Sequence, residues 1–216
     1  MNIELDKMVE IVKAKLLEIN NEQKIPVEAS GRHIHISKED AEILFGKGCN
    51  LTKLKDLSQP GQYACEERVK LIGPKGIIEG VIVLGPFRNE TQIELSITDA
   101  RILGVKPILR ESGNIENTPG IIVVYKDRCI SLKKGVIIAK NHIHMDTLDS
   151  IKLNVKDKDL VDVQIKNSQR PIIFKDVLVR VNDNFKLNMH IDYDEANSCM
   201  LGKDSYGEIV WLKRIF

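Results

Sequence analysis

The stretch "EASGRHIHISKED" at residues 28–40 places His33 and His35 two positions apart in a run of alternating apolar and polar residues. Successive side chains of a β-strand point to opposite faces, so residues at i and i+2 share a face, about 6 to 7 Å apart. Ser37 and Asp40 follow as a helix N-cap pattern. The stretch therefore predicts a strand, a cap and a short helix, with both imidazoles on one face.

The same pattern returns in "NHIHMDTLDS" at residues 141–150. His142 and His144 repeat the spaced pair, and Asp146 and Asp149 repeat the cap and the acid three positions later. We expect a second strand, cap and short helix here.

A further alignment sets "TQIELSITDARILG" (91–104) against "FKLNMHIDYDEANSC" (185–199). It pairs Ala100 with Ala196 and Glu94 with His190. We interpret the chain as a degenerate duplication. The first half would then carry an insertion around "CNLTKLKDLSQPGQYACEE" (49–67), which is polar and rich in turn residues.

Short β-rich runs dominate the chain after residue 20, and long helical segments are scarce. Examples are "GIIEGVIVLG", "TQIELSI", "GIIVVY", "LVDVQIK" and "PIIFKDVLVRV". They predict a mainly β fold, for which small barrels or sandwiches are the natural result. Helical spacing of apolar residues in "LDKMVEIVKAKLLEI" (5–19) predicts an amphipathic N-terminal helix before the barrels.

Composition excludes several classes of protein. The 216 residues are 43% hydrophobic, and 32 basic residues balance 31 acidic ones, so we expect no nucleic-acid partner. No apolar run approaches the roughly 20 residues that a membrane span needs, so we expect no membrane partner. The four cysteines are scattered without a C-x-x-C pair and receive no role, and a cytoplasmic location fits them best.

The five histidines fall in two spaced pairs plus His190. Imidazole nitrogens suit zinc, copper, nickel or iron, whereas magnesium and calcium prefer oxygen ligands. With Glu94 there are six candidate ligands, too many for one tetrahedral ion. We therefore expect two ions, zinc being the first choice, one of them with an open position for catalysis.

Arg88 lies in "GPFRNETQIE", six residues before Glu94. A guanidinium beside a metal is suited to hold phosphate, because its fork of donors matches phosphate oxygens. The chain has no Walker A motif, G-x-G-x-x-G or G-x-S-x-G, so glycine-loop phosphate binding and serine acyl transfer lack support.

The combination of "GRHIHIS", "GPFRNETQIELS", "KNHIHMD" and "MHIDYDEAN", in this order over about residues 25–202, resembles the PduL-type phosphotransacylases, or phosphate propanoyltransferases. The resemblance implies an enzyme that interconverts acetyl- or propanoyl-CoA plus phosphate with acyl phosphate plus CoA. It implies that Arg88 contacts phosphate. It also implies two zinc ions: Glu94, His142, His144 and His190 resemble the ligands of one, and His33 and His35 those of a more open second.

The same resemblance implies two related small β-barrels in tandem, capped by short helices, with the first strand crossing into the C-terminal barrel. The expected domains are an N-terminal helix at 1–21, a C-terminal barrel from 22–31 and 140–209, and a central barrel at 32–139 with an excursion near 46–66. It further allows a homodimer, and microcompartment shell or cargo proteins as partners, which would place the enzyme in a bacterial microcompartment.

The chain departs from the resemblance at Asn141, where arginine is more usual before the second histidine pair. Two alternatives stay open. His33, His35 and Glu39 fit H-x-H-x-x-x-E, part of a cupin-like metal motif, although Glu39 is also explained by the helix that follows. The metals could instead only hold two non-catalytic barrels together, as structural zinc does.

Overall fold

The computed structural model describes Met8 and residues 24–210. The predicted N-terminal helix, residues 5–19 of the expected segment 1–21, lies outside the described residues except for Met8, which is helical.

The strands are β1 (Ile25–Ser30), β2 (His33–Ser37), β3 (Lys53–Asp56), β4 (Tyr63–Ile72), β5 (Ile77–Arg88), β6 (Gln92–Glu94), β7 (Leu109–Arg110), β8 (Ile121–Tyr125), β9 (Arg128–Leu132), β10 (Val136–Ala139), β11 (His142–Met145), β12 (Leu160–Lys166), β13 (Ile173–Val181), β14 (Asn188–Asp192) and β15 (Tyr206–Ile209). The helices are α1 (Lys38–Phe45), α2 (Ile97–Leu103), α3 (Thr147–Leu153) and α4 (Tyr193–Ser198). The mainly β fold with short helices is confirmed.

The described chain divides into two compact units. The first contains residues 24–28, 142–189 and 199–210, and the second contains residues 29–141 and 190–198.

Six strands close into a barrel in the order β1, β14, β11, β13, β12, β15. The first strand of the described chain, β1, pairs antiparallel with the last one, β15, which confirms the predicted crossing of the first strand. In β12, Val161, Val163 and Ile165 are buried and alternate with more exposed residues. This period-two pattern is typical of a strand with one face in an apolar interior.

The remaining nine strands form a curled sheet in the order β7, β10, β6, β2, β5, β4, β8, β9, with β3 paired to β4. Strand β2 is interior to this sheet, parallel to β5 and antiparallel to β6. Ile34 and Ile36 are fully buried in the apolar core cluster of this unit. Because side chains alternate along a strand, His33 and His35 lie on the opposite face of β2.

Each of these four helices follows a strand with at most two residues between them, and each is capped by a side chain. Ser37 accepts a hydrogen bond from the Asp40 amide at 3.1 Å, and Asp146 accepts one from the Asp149 amide at 2.7 Å, as the sequence predicts. Ser96 caps α2 in the same way. At α4, Asp192 and Glu195 form a reciprocal capping box. These caps fix the residue at which each helix begins, and therefore which side chains lie at the end of the strand before it.

No helix within residues 24–210 has the length and apolar character that a membrane crossing requires.

Candidate metal centre

Two strands of the curled sheet bring His33, His35 and Glu94 together. In the antiparallel pair of β2 and β6, His33 stands opposite Glu94, so their side chains share a face. Glu94 Oε2 lies 3.5 Å from His33 Nε2, and Glu94 Oε1 lies 3.7 Å from His35 Nε2. The two imidazole Nε2 atoms are 3.2 Å apart. All three residues are at least nine-tenths buried, so the cluster is shielded from water.

The His33 ring is oriented by the backbone. Its Nδ1 lies 2.8 Å from the Gly31 carbonyl oxygen, which can only accept a hydrogen bond. Nδ1 therefore carries a hydrogen and donates a hydrogen bond to that oxygen. Nε2 faces the cluster and offers a lone pair there when His33 is neutral. Metal-bound histidines commonly show this arrangement, because a partner at one ring nitrogen fixes the tautomer at the other.

Mutual electrostatics set the protonation of the three groups. Burial lowers the pKa of His33, but the charge and hydrogen bond of Glu94 outweigh it and hold that pKa above its ordinary value. Burial, then the charge of His33, holds the pKa of His35 well below its ordinary value. Burial raises the pKa of Glu94, but the charge and hydrogen bond of His33 overcome it and leave that pKa well below its usual range. The cluster thus carries an ionised carboxylate and one neutral imidazole, which are the forms that bind metals.

The donor set fits a divalent transition metal. The three candidate ligand atoms lie within 4.8 Å of one another. Two imidazole nitrogens and one carboxylate oxygen are ligands that zinc accepts, and a set of three leaves the open position that a catalytic zinc keeps. Glu39 does not belong to the cluster: it is an exposed residue in the first turn of α1, so the cupin-like ligand pattern is not assembled.

Two further residues donate hydrogen bonds to Glu94, and neither contact was predicted from the sequence. Ser112 Oγ donates to Glu94 Oε1 at 2.8 Å, and Gln92 Nε2 donates to the same oxygen at 2.7 Å. The rule that places His33 and His35 on one face also places Gln92 with Glu94, so the sequence held a signal for Gln92. Ser112 lies in a loop after β7, and no strand spacing predicts its position.

Arg88 ends β5 and reaches the same cluster. Its NH1 donates to Ser112 Oγ at 3.2 Å. Its positive charge acts to lower the pKa of both His33 and His35. A guanidinium therefore lies within electrostatic reach of the candidate metal ligands.

The second histidine pair lies in β11 of the barrel. The ring centroids of His142 and His144 are 4.6 Å apart, and both side chains are buried. The His144 ring also contacts Phe185, with 4.4 Å between centroids. His190 lies in β14, where Met189 and Ile191 are buried, so its side chain projects from the other face of that strand.

The resemblance groups Glu94 with His142, His144 and His190, and that grouping stays a prediction. The structure places Glu94 beside His33 and His35. The antiparallel register of β2 and β6 is the physical reason. This register joins residues 61 positions apart, which an alignment of the two halves does not detect.

Asn141, the departure from the resemblance, has a defined partner. Its Nδ2 donates to Glu195 Oε1 at 2.7 Å, while Glu195 Oε2 accepts the Asp192 amide at 2.9 Å. Burial, with the nearby charge of Asp192, raises the pKa of Glu195 to about 7, although hydrogen bonds from Asp192 and Asn141 oppose the shift. This hydrogen bond links Asn141, the residue just before β11, to the capping box of α4.

Comparison with known proteins agrees with the motif pattern. The family model described as phosphate propanoyltransferase matches residues 26–202. A phosphate propanoyltransferase of Sebaldella termitidis is 54% identical over 209 residues, covering 96% of this chain and 97% of the relative. One of Leptotrichia buccalis is 56% identical, covering 90% of this chain and 93% of the relative, and one of Clostridioides difficile is 52% identical, covering 93% and 96%.

Proposed function

This chain belongs to the phosphate propanoyltransferase family, and on that premise we propose that it interconverts a short-chain acyl-CoA plus phosphate with the acyl phosphate plus CoA. Acetyl-CoA and propanoyl-CoA are the proposed substrates. The observation that carries the proposal is the arrangement of Arg88 beside the buried cluster of His33, His35 and Glu94. An anion-binding group next to an incomplete ligand set is suited to bring phosphate to an activated carbonyl.

His33, His35 and Glu94 would hold zinc. Zinc at this position would supply Lewis-acid charge to stabilise negative charge that develops on the thioester oxygen or sulfur. The protein holds this set in place through the Gly31 carbonyl and the Ser112 hydroxyl. Because the three side chains are buried, water competes little for the open position.

Arg88 would hold phosphate against the thioester. A phosphate oxygen attacks the carbonyl carbon, a C–O bond forms, and the carbonyl π electrons move to oxygen. Collapse restores the carbonyl and breaks the C–S bond, whose electron pair leaves with sulfur. The proton carried by hydrogen phosphate ends on the CoA thiol, so atoms and charge balance without an oxidant or an acyl-enzyme. Holding both substrates together supplies much of the rate by proximity.

His142, His144 and His190 are the proposed ligands of a second zinc. The burial and proximity of His142 and His144 support this proposal, since such pairs recur at metal sites. Homodimerisation, microcompartment shell or cargo partners and a location in a microcompartment remain predictions from the resemblance. A cytoplasmic location remains a prediction from the scattered cysteines.

An assay of CoA release tests the proposal. Purified protein is given acetyl-, propanoyl- or butanoyl-CoA with and without phosphate, and free thiol and acyl phosphate are measured. We expect thiol release that requires phosphate, with one acyl phosphate formed per thiol. Thiol release without phosphate, or none with any of the three substrates, would contradict the proposed reaction.

A further inference from the structure

Gln92 lies two residues before Glu94 on β6, and both side chains are buried on the same face of the strand. Only 2% of Gln92 is exposed. A buried amide that lacks partners costs free energy, so its hydrogen bonds indicate what it does.

The hydrogen bonds of Gln92 fix the orientation of its amide. Nε2 donates to Glu94 Oε1 at 2.7 Å and to Ser112 Oγ at 2.9 Å, while Oε1 accepts from the Gly113 amide at 2.8 Å. A carboxylate only accepts and a backbone amide only donates, so the flipped amide would lose both contacts. Both amide hydrogens and the carbonyl are used.

These contacts also fix the direction of the Ser112 hydroxyl. Gln92 Nε2 and Arg88 NH1 can only donate to Ser112 Oγ, so the single hydroxyl hydrogen is left for Glu94. It points to Glu94 Oε1 at 2.8 Å. Gln92 thereby orders a chain of hydrogen bonds from Arg88 through Ser112 to Glu94.

The two oxygens of Glu94 therefore differ. Oε1 accepts from both Gln92 and Ser112 at 2.7 and 2.8 Å, which occupies its two lone-pair directions. Oε2 lies toward His33, 3.5 Å from its Nε2. An oxygen whose lone pairs are both used is a poor additional ligand, so a metal at this cluster meets Oε2.

We propose that Gln92 is a positioning residue that makes Glu94 a one-oxygen metal ligand through Oε2 and holds the Ser112–Gly113 loop against β6. This inference rests on the proposed function, since it assigns a role within the same metal centre. Restricting Glu94 to one oxygen keeps a coordination position open for substrate. The role is separate from contact with substrate, because Gln92 acts through Glu94 and Ser112.

The test compares Gln92→Met, which keeps the length of the side chain but loses its hydrogen bonds, with the wild-type protein. Gln164→Met, at a half-buried strand position in β12 of the barrel, is the matched control. Zinc affinity is measured by competition with a chelating dye, and crystal structures of the zinc-loaded proteins give the distances from zinc to both Glu94 oxygens.

We expect Gln92→Met to bind zinc about 10–100-fold more weakly, the range for losing an outer partner of a metal ligand. We expect Oε2 alone within about 2.0–2.2 Å of zinc in the wild type, and Oε1 to approach zinc in Gln92→Met. Gln164→Met should behave as the wild type. Unchanged affinity and ligation in Gln92→Met, or ligation through Oε1 in the wild type, overturns the inference.

Ser112→Ala provides a second test if Gln92→Met does not fold. It removes the other donor to Oε1, so it should release that oxygen toward zinc, and unchanged ligation overturns the inference. The activity assay tests the proposed function separately from the positioning role of Gln92. If neither wild type nor variant converts acyl-CoA with phosphate while the ligation shifts as expected, the positioning role stands and the reaction does not.

Discussion

His33 and Glu94 stand directly opposite each other on the antiparallel strands β2 and β6, with 3.5 Å between Nε2 and Oε2. The pairing places a carboxylate against an imidazole inside the protein. Charges of opposite sign so close stabilise each other, and the pKa of Glu94 is held low although burial opposes it. The register of one strand pair thus creates the centre of the candidate site.

Replacing Glu94 with glutamine should abolish most zinc binding at this cluster. The amide keeps the shape and an acceptor for Gln92 and Ser112 but loses the negative charge that attracts the cation. We expect affinity to fall by more than the roughly 10–100-fold typical of losing an outer partner. Glu39→Gln, an exposed change in α1, is the control and should leave zinc affinity unchanged. A larger loss in Glu39→Gln would instead favour the cupin-like ligand pattern.

Replacing Arg88 with alanine should raise the Michaelis constant for phosphate. Hydrogen bonds to a charged group contribute about 1.5–3 kcal/mol, so we expect about a 10–100-fold increase. Arg88→Lys should recover part of the loss, because lysine keeps the charge without the fork of donors. Steady-state kinetics over a range of phosphate concentrations measure the effect, and a phosphate constant unchanged in Arg88→Ala would remove Arg88 from this role.

The titration of Glu195 should lower the free energy of unfolding as pH rises toward neutrality. Its folded pKa of about 7 exceeds the ordinary value of 4.5, so its stabilising contribution is complete below pH 4.5 and is lost as pH rises through about 7. The charges of Asp192 and Asp194 add to this effect. Glu195→Gln removes the titration.

Melting temperatures of both proteins between pH 4 and 8 measure this difference. From pH 4 to pH 8 the melting temperature of the wild type should fall by about 2–4 °C more than that of Glu195→Gln. This difference corresponds to about 1 kcal/mol of unfolding free energy for a chain of this size. Parallel curves for the two proteins would show that Glu195 does not titrate there.

Gly135 should tolerate no side chain. It has φ +120°, and a Cβ there would meet the Thr91 carbonyl oxygen at 2.6 Å, while the Gly135 carbonyl accepts from Ile93 beside Glu94. Gly80→Ala is the control, since Gly80 also has a positive φ, +71°, but open space around it. Denaturant unfolding should show Gly135→Ala less stable than Gly80→Ala by about 1–3 kcal/mol, the cost of overpacking. Equal losses would mean that Thr91 moves without cost.

The sequence predicted the local structure well because its signals are local. Spaced histidines between apolar residues and a following cap specify a strand and a helix within ten residues, and β2 with α1 and β11 with α3 follow that pattern. The first strand was placed correctly in the closed barrel through the resemblance.

The grouping of the ligands was not predictable in the same way. Glu94 joins His33 through strand pairing, and Ser112 joins Glu94 through a loop, so both contacts depend on the register of the folded sheet. Aligning the two halves matched Glu94 to His190 and carried no information on its neighbour across the strand. Asn141 illustrates the same limit, because its partner Glu195 lies 54 residues away.

A transition metal held by His33, His35 and Glu94 is central to the proposed transfer of an acyl group to phosphate. The most direct measurement removes metal from the purified protein with a chelator, confirms by circular dichroism that the fold is kept, and follows phosphate-dependent CoA release from propanoyl-CoA as zinc is added back. Activity should vanish with the metal and return with zinc in the wild type but not in His33→Ala. Full activity in the metal-free folded protein would contradict the account.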